Sequence, residues 1–395
     1  MIGISKLYCG AVEAADVLRY GAESSTLPSH LLQFSRDKKP VVVWNVTRRC
    51  NLRCRHCYAG SPGAAPADEL STEEGLKLID DLSSFGSPVV LFSGGEPLLR
   101  KDLPELAAHA KACGLRAVIS TNGTLITEEW ARLYGAIGLS YVGVSLDGME
   151  RTHDRFRGVH GSFRQALRGI RICLDRGIKV GVRFTVTRDN CREIPAVFEL
   201  IEQEKIPRAC FYHLVYSGLG SSLIAEDLGH EETRAAVDEI MDLTRGLFDK
   251  GLAPEILTVD NHADGPYLYL RLLRENPLRA AEVLSLLRMN EGNSSGRGIG
   301  CVGWDGEVYA DQFWRNHSFG NVRKRPFGEI WEDLSDELMA ELKEKKRHIK
   351  GRCRACRWLD VCAGNFRARA EAVTGDPWAP DPACYLTDEE ISLPE

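Results

Sequence analysis

Three cysteines stand in Thr47-Arg-Arg-Cys50-Asn-Leu-Arg-Cys54-Arg-His-Cys57-Tyr58, separated by three residues and then by two. Thiolates are soft ligands that suit iron–sulfur clusters, zinc or copper(I). Electron-transfer [4Fe–4S] clusters take four cysteines. A set of three leaves one iron without a protein ligand, and an open iron can bind a substrate or cofactor directly. A structural zinc knuckle is the plainer use of such thiols, but zinc usually takes four ligands in paired spacing. His56 is the fourth donor on paper, yet it adjoins Cys57, and neighbouring residues rarely share one tetrahedral ion.

A second set is Cys353-x2-Cys356-x5-Cys362, with Cys384 further on. Four thiolates in that order close one complete cluster or bind one zinc. The remaining cysteines of the 13 (Cys9, Cys113, Cys173, Cys191, Cys210 and Cys301) are scattered, as small buried residues are. Lys343, Lys345, Lys346, Arg347, Lys350, Arg352, Arg354 and Arg357 crowd the approach to the second set. They can balance cluster charge, pair with substrate carboxylates, or form a solvated face.

These sites need a scaffold. The 395 residues exceed one ordinary core, so two or three units are expected. Apolar residues at 44% and charged residues at 27% mark a soluble globular chain, and a net charge of −6 does not favour nucleic acid. No apolar run is long enough for a signal peptide or a membrane helix, so the expectation is a cytoplasmic protein with reduced thiols and no membrane partner. Strand-like apolar runs recur at 40–46, 88–92, 115–119, 141–146, 178–187 and 208–215. Helical patterns separate them, one opening at Ser71 and others at 103–113, 127–137, 162–176 and 193–204, with Ser71-x2-Glu74 and Thr127 as caps. Such alternation implies a parallel sheet with helices outside. Six units make a partial barrel, short of the usual eight, with its active site at the C-terminal ends of the strands. Helical patterns at 231–250 and 267–289 form an insert, and Asp305-Gly306 joins two short strands.

The spacing C-x3-C-x2-C at the end of a strand resembles the signature of the radical S-adenosylmethionine (SAM) enzymes. The resemblance implies a [4Fe–4S] cluster on Cys50, Cys54 and Cys57 whose open iron chelates the amino and carboxylate groups of SAM. One electron then cleaves the sulfonium to a 5′-deoxyadenosyl radical. Ser93-Gly94-Gly95-Glu96-Pro97 after the second strand matches the family's Gly-Gly-Glu-Pro, which contacts the SAM amino group. Its glycines let the backbone approach a ligand, and Glu96 can accept from an ammonium. Ser120 and Asn122 after the third strand are expected near the SAM carboxylate or ribose, and Ser145 and Asp147 after the fourth near the ribose. Arg183 is placed to pair with a carboxylate, and Tyr58 to line the adenine pocket. The second set resembles one half of the SPASM/Twitch extension, which implies an auxiliary [4Fe–4S] cluster on Cys353, Cys356, Cys362 and Cys384. The full pattern has a further cysteine where this chain has Phe366, and Cys301 resembles a leftover ligand of the second, lost cluster. The implied architecture is α/β: an N-terminal segment (1–38), a partial (β/α)6 radical SAM barrel (39–216), a helical connector (217–295) and a cysteine-rich SPASM/Twitch-like unit (296–395).

Six further stretches, among them Asp260-Asn-His-Ala-Asp-Gly265, Gly292-Asn-Ser-Ser-Gly296 and Asp311-Gln-Phe-Trp314, resemble the tetrapyrrole-modifying group of that family. This implies an iron tetrapyrrole substrate and a low-potential flavodoxin- or ferredoxin-like electron donor. The branch most alike removes two acetate side chains from 12,18-didecarboxysiroheme, giving iron-coproporphyrin III in the siroheme-dependent haem pathway. Sister branches remove propionates in haem d1 synthesis or convert the propionates of coproheme to vinyls. A SPASM peptide-modifying enzyme is the more distant alternative. Arg183, Arg297, Arg315, Trp304 and Trp314 are candidate clamps and walls for the macrocycle. His213, His262 and His317 are candidate axial ligands.

Overall fold

The computed structural model describes residues 1–10, 19–60 and 68–392. Its strands are β1 (Ile2–Gly3), β2 (Val41–Thr47), β3 (Val89–Gly94), β4 (Arg116–Thr121), β5 (Tyr141–Ser145), β6 (Val180–Val186), β7 (Arg208–His213), β8 (Glu255–Val259), β9 (Ile299–Val302) and β10 (Val308–Tyr309). They form one sheet in the order β1-β8-β7-β6-β5-β4-β3-β2-β9-β10. Neighbours from β8 through β2 to β9 are parallel, and β1 and β10 are antiparallel edges. The expected six β/α units are β2 to β7 with their helices, in a mixed sheet that does not close. β2 is buried almost throughout, as a strand covered on both faces must be.

Local chemistry places the helices. Ser71 and Glu74 form a capping box at Thr72–Phe85, and Thr127 accepts from the Trp130 amide at 3.1 Å to start Glu128–Ile137. The expected helix over 267–289 is two helices, Asp264–Glu275 and Pro277–Asn290. Pro277 cannot continue the first but suits the first turn of the second, which the Asn276 side chain caps. Three features escape sequence patterning. β8 has only five residues, and its strand character shows through its register with β7. β9 pairs with β2, so the hairpin beyond residue 298 extends the barrel sheet. Helix Glu150–Arg157 is too polar to show an apolar period, yet it buries Phe156 and Arg157.

The cysteine-rich end is tied to the barrel by one buried ion pair. Arg369 and Asp381 are fully inaccessible to solvent and meet through two 2.9 Å hydrogen bonds. The remaining Arg369 donors reach the carbonyls of Leu214, just after β7, at 2.9 Å and of Asp260, just after β8, at 3.0 Å. Asp381 also accepts from the backbone amides of Phe366 and Ala383. Removing one partner strands the other charge, so Arg369→Met is expected to cost about 3–5 kcal/mol. Anaerobic urea denaturation should show the midpoint falling; an unchanged midpoint would mean that the pair does not hold the two parts together.

Candidate active site

The loops after β2 to β8 converge on one cavity. Cys50, Cys54 and Cys57 line it, with Tyr58 beside them. Gly94 and Gly95 form the next part of the wall, and Ser120, Asn122, Ser145 and Arg183 continue it across β4 to β6. Thr185, Tyr212, His213, Asp260 and Phe313 close the far side.

The Gly-Gly stretch is stapled to the cysteine loop. The amides of Gly95 and Glu96 donate to the carbonyls of Thr47 and Arg49 at 2.8 and 2.7 Å. A Cβ on Gly95 would lie 2.1 Å from the Arg49 carbonyl oxygen, and one on Gly94 (φ +123°) 2.3 Å from that of Thr47. The glycines are therefore required by the approach of the cysteine loop itself, whatever ligand also comes near.

Two acidic residues differ from expectation. Glu96 is fully buried behind the wall, and its carboxylate accepts from Thr121 Oγ1 (2.7 Å), the Asn122 amide (2.8 Å) and the Leu98 amide (3.1 Å). It joins β3 to β4 and leaves Gly94 and Gly95 on the cavity wall; Pro97 is likewise buried. Asp147 also stands behind the wall, paired with Arg157 and accepting from the Thr185 amide at 2.7 Å.

Arg157 escaped sequence reasoning because its helix carries no apolar period. It is buried, and its guanidinium donates to Cys54 Sγ at 3.4 Å while pairing with Asp147. Burial pushes the Cys54 thiol up, and the Arg157 cation opposes that shift. On the same helix Phe156 stacks on the His56 ring at 4.6 Å.

Arg183 is braced by Ser120 Oγ and by Tyr212 Oη at 2.6 Å, so its guanidinium is held in the cavity wall. Tyr58 donates to Asn45 and also meets Ser93 Oγ, each at 3.0 Å. Asn45 in turn donates to Cys301 Sγ at 3.4 Å, so Cys301 is a buried thiol packed with Val43 and Tyr309. Phe366 fills the place of the missing cysteine and contacts Phe313, which contacts Tyr58.

The other macrocycle candidates have partners outside the cavity. Arg297 pairs with Glu291, Arg315 lies 4.0 Å from the Trp304 ring, and Trp314 Nε1 donates to Glu371. His317 pairs with Asp336. His213 lines the cavity with Nε2 held by Asp264 at 2.9 Å, whereas His262 is buried with Nδ1 unpartnered.

At the second cysteine set, Gly292 (φ +69°) lies where a Cβ would fall 2.2 Å from the Cys362 backbone, and the Asn293 amide donates to the Cys362 carbonyl. The basic run near this set is largely consumed internally: Lys345 is buried on the carbonyls of Asn293 and Ser295, and Lys350 pairs with Asp376. Tetrahedral zinc holds its sulfurs about 3.8 Å apart. Among the described residues, the one group that brings three metal-type donors within 4.8 Å of one another is Asp80, His109 and Cys113, outside the barrel. Burial pushes the Cys50 and Cys384 thiols up to about 12, so metal uptake at either set must displace protons.

Comparison with known proteins agrees with this geometry. Residues 44–201 match the radical SAM superfamily, and residues 295–357 match SPASM, an iron-sulfur cluster-binding domain. An Fe-coproporphyrin III synthase from Methanosarcina barkeri is 67% identical over 100% of both chains. The chain belongs to the radical SAM superfamily. A pre-heme d1 synthase from Dinoroseobacter shibae is 43% identical over 89% of this chain and 87% of its own. An AdoMet-dependent heme synthase from Methanosarcina barkeri is 33% identical over 87% and 95%. Native anSMEcpe with bound AdoMet shares the fold at TM-score 0.68 and 18% identity, covering 87% of this chain and 94% of its own. As a radical SAM protein with a SPASM match, this chain uses [4Fe–4S] clusters and SAM. No helix among the described residues is long and apolar enough to cross a membrane.

Two outcomes follow for the radical SAM centre. Gly95→Ala should displace the cysteine loop and lower the iron bound by the first set, measured by iron analysis of a variant lacking the second set. A cation beside a thiolate favours the reduced, more negative cluster, so Arg157→Gln should lower its midpoint potential by on the order of 50 mV. Arg157→Lys should recover most of the difference in an EPR-monitored titration, and equal potentials in all three proteins would exclude the effect.

Proposed function

We propose that this chain removes two acetate side chains from 12,18-didecarboxysiroheme and yields iron-coproporphyrin III, in the siroheme-dependent route to haem. The observation that carries the reading is the end-to-end match, at 67% identity, to a protein named Fe-coproporphyrin III synthase. The cavity supports it with three thiols in an open set, a braced guanidinium and an aromatic wall. The bound cluster and SAM supply the one-electron, hydrogen-abstracting chemistry.

The protein's own residues prepare that chemistry. Cys50, Cys54 and Cys57 hold the first cluster, Arg157 biases its charge, and the Gly94–Gly95 backbone seats SAM against the cysteine loop. Ser120, Asn122 and Ser145 lie along the same wall. Arg183 receives an anionic group, and Phe313 gives the macrocycle an apolar face. Cys353, Cys356, Cys362 and Cys384 hold one auxiliary cluster. The reading calls for a flavodoxin- or ferredoxin-like donor and for a reducing cytoplasm that keeps the thiols free.

The decisive test is the mass of the tetrapyrrole product after anaerobic incubation with reductant, SAM and didecarboxysiroheme. Loss of two acetates, with 5′-deoxyadenosine formed, is the expected result. Loss of propionates would move the chain to the pre-haem d1 reaction. An unchanged macrocycle beside abundant 5′-deoxyadenosine would overturn the substrate assignment.

A further inference from the structure

Asp260 opens the Asp-Asn-His-Ala-Asp-Gly stretch that follows β8, and it lines the cavity at the opposite end of the strand series from the cysteine loop. Its backbone is left-handed, with φ at +66°, a conformation a non-glycine residue adopts at a cost. The surroundings enforce it. Arg369 donates to the Asp260 carbonyl at 3.0 Å, Asn261 Nδ2 donates to the Ala383 carbonyl at 2.9 Å, and the His262 amide donates to Asn365 Oδ1 at 2.6 Å. The side chain so aimed is 8% exposed, and its Oδ2 is buried with no hydrogen-bond partner. Buried acceptors are nearly always satisfied, so an orphaned one at a cavity wall marks a place where a ligand completes the bonding. Arg183, a cation in the same wall, supplies positive charge. Burial pushes the Asp260 carboxyl up to about 6; the buried N-terminal ammonium opposes that shift, Asp311 adds to it, and Arg369 and Arg183 oppose it.

We propose that Asp260 is a substrate anchor, whose unpartnered carboxyl oxygen shares one proton with a side-chain carboxylate of the bound tetrapyrrole, on the wall shared with Arg183. The proposal rests on the tetrapyrrole reading above. It assigns to the cavity a carboxylate-receiving end distinct from the end that holds the cysteines. No bond to carbon forms or breaks there; one proton is shared between two carboxyl groups.

The left-handed backbone makes the test clean. Asparagine tolerates that conformation and keeps a donor, and glycine adopts it without strain but has none. The probe is iron coproporphyrin III, titrated anaerobically without SAM into cluster-loaded wild type, Asp260→Asn and Asp260→Gly and followed by its absorbance. Loss of one charge-assisted hydrogen bond should weaken binding about tenfold to a hundredfold in Asp260→Gly, while Asp260→Asn stays within about threefold of wild type. Iron octaethylporphyrin, which lacks carboxylates, should bind all three proteins alike. The thermal midpoint of Asp260→Gly should be no lower than that of wild type. Equal affinity of all three for iron coproporphyrin III would overturn the anchor, as would Asp260→Asn binding as weakly as Asp260→Gly or a falling midpoint in Asp260→Gly. Failure of wild type itself to bind a carboxylated iron porphyrin would instead remove the tetrapyrrole reading, and the anchor with it.

Discussion

The buried pair between Arg369 and Asp381 is the constraint on which the arrangement of this molecule depends. Two charges withdrawn from water gain little over a well-packed apolar pair, so stability alone does not account for them. What they add is geometry. The planar guanidinium grips Asp381 with two bonds and has donors left for Leu214 and Asp260, residues that follow adjacent parallel strands. Asp381 lies three residues before Cys384 and also receives the amide of Phe366. One side chain thereby sets the end of the second cysteine set against the mouth of the barrel.

The first cysteine set has a comparable support on the other side of the cavity. The Gly94–Gly95 backbone lies against the loop of Cys50, Cys54 and Cys57 so closely that a methyl group would not fit. Glu96 ties that corner to β4, and Arg157 ties Cys54 to Asp147 behind the wall. Glu96 is withdrawn from the cavity and satisfied by protein, whereas Arg157 stays on the cavity wall beside Cys54. Among the described residues, the charged groups on its wall are Arg157, Arg183 and Asp260, two basic and one acidic. A site with a thiol end and a charged end is suited to a flat, multiply acidic ligand held away from the cluster by its rim.

Much of this was legible in the chain. Cysteine spacing is a local property, and so are capping boxes and alternating strand and helix periods; β2 to β7 and both cysteine sets follow from them. Less legible was anything that depends on a partner distant in sequence. β8 is short enough that its pairing with β7 and β1 defines it. Helix Glu150–Arg157 hides its purpose because its contacts with the cysteine loop come from Phe156 and Arg157 near its C-terminal end rather than from a repeating stripe. The Trp304, Trp314, Arg297 and Arg315 expected at the substrate are occupied elsewhere, since aromatic and basic residues also serve as packing and ion-pair partners.

The sequence by itself determined the chemistry available: soft ligands in a set of three and a set of four, a glycine corner one strand later, and a sheet to carry them. Tertiary structure alone decided how each charge is spent. Whether Glu96, Asp147 and Asp260 face a ligand or a protein donor depends on which backbone amides and guanidinium groups reach them from elements up to 109 residues away. Those encounters arise from packing, for which neither spacing nor periodicity carries a signal.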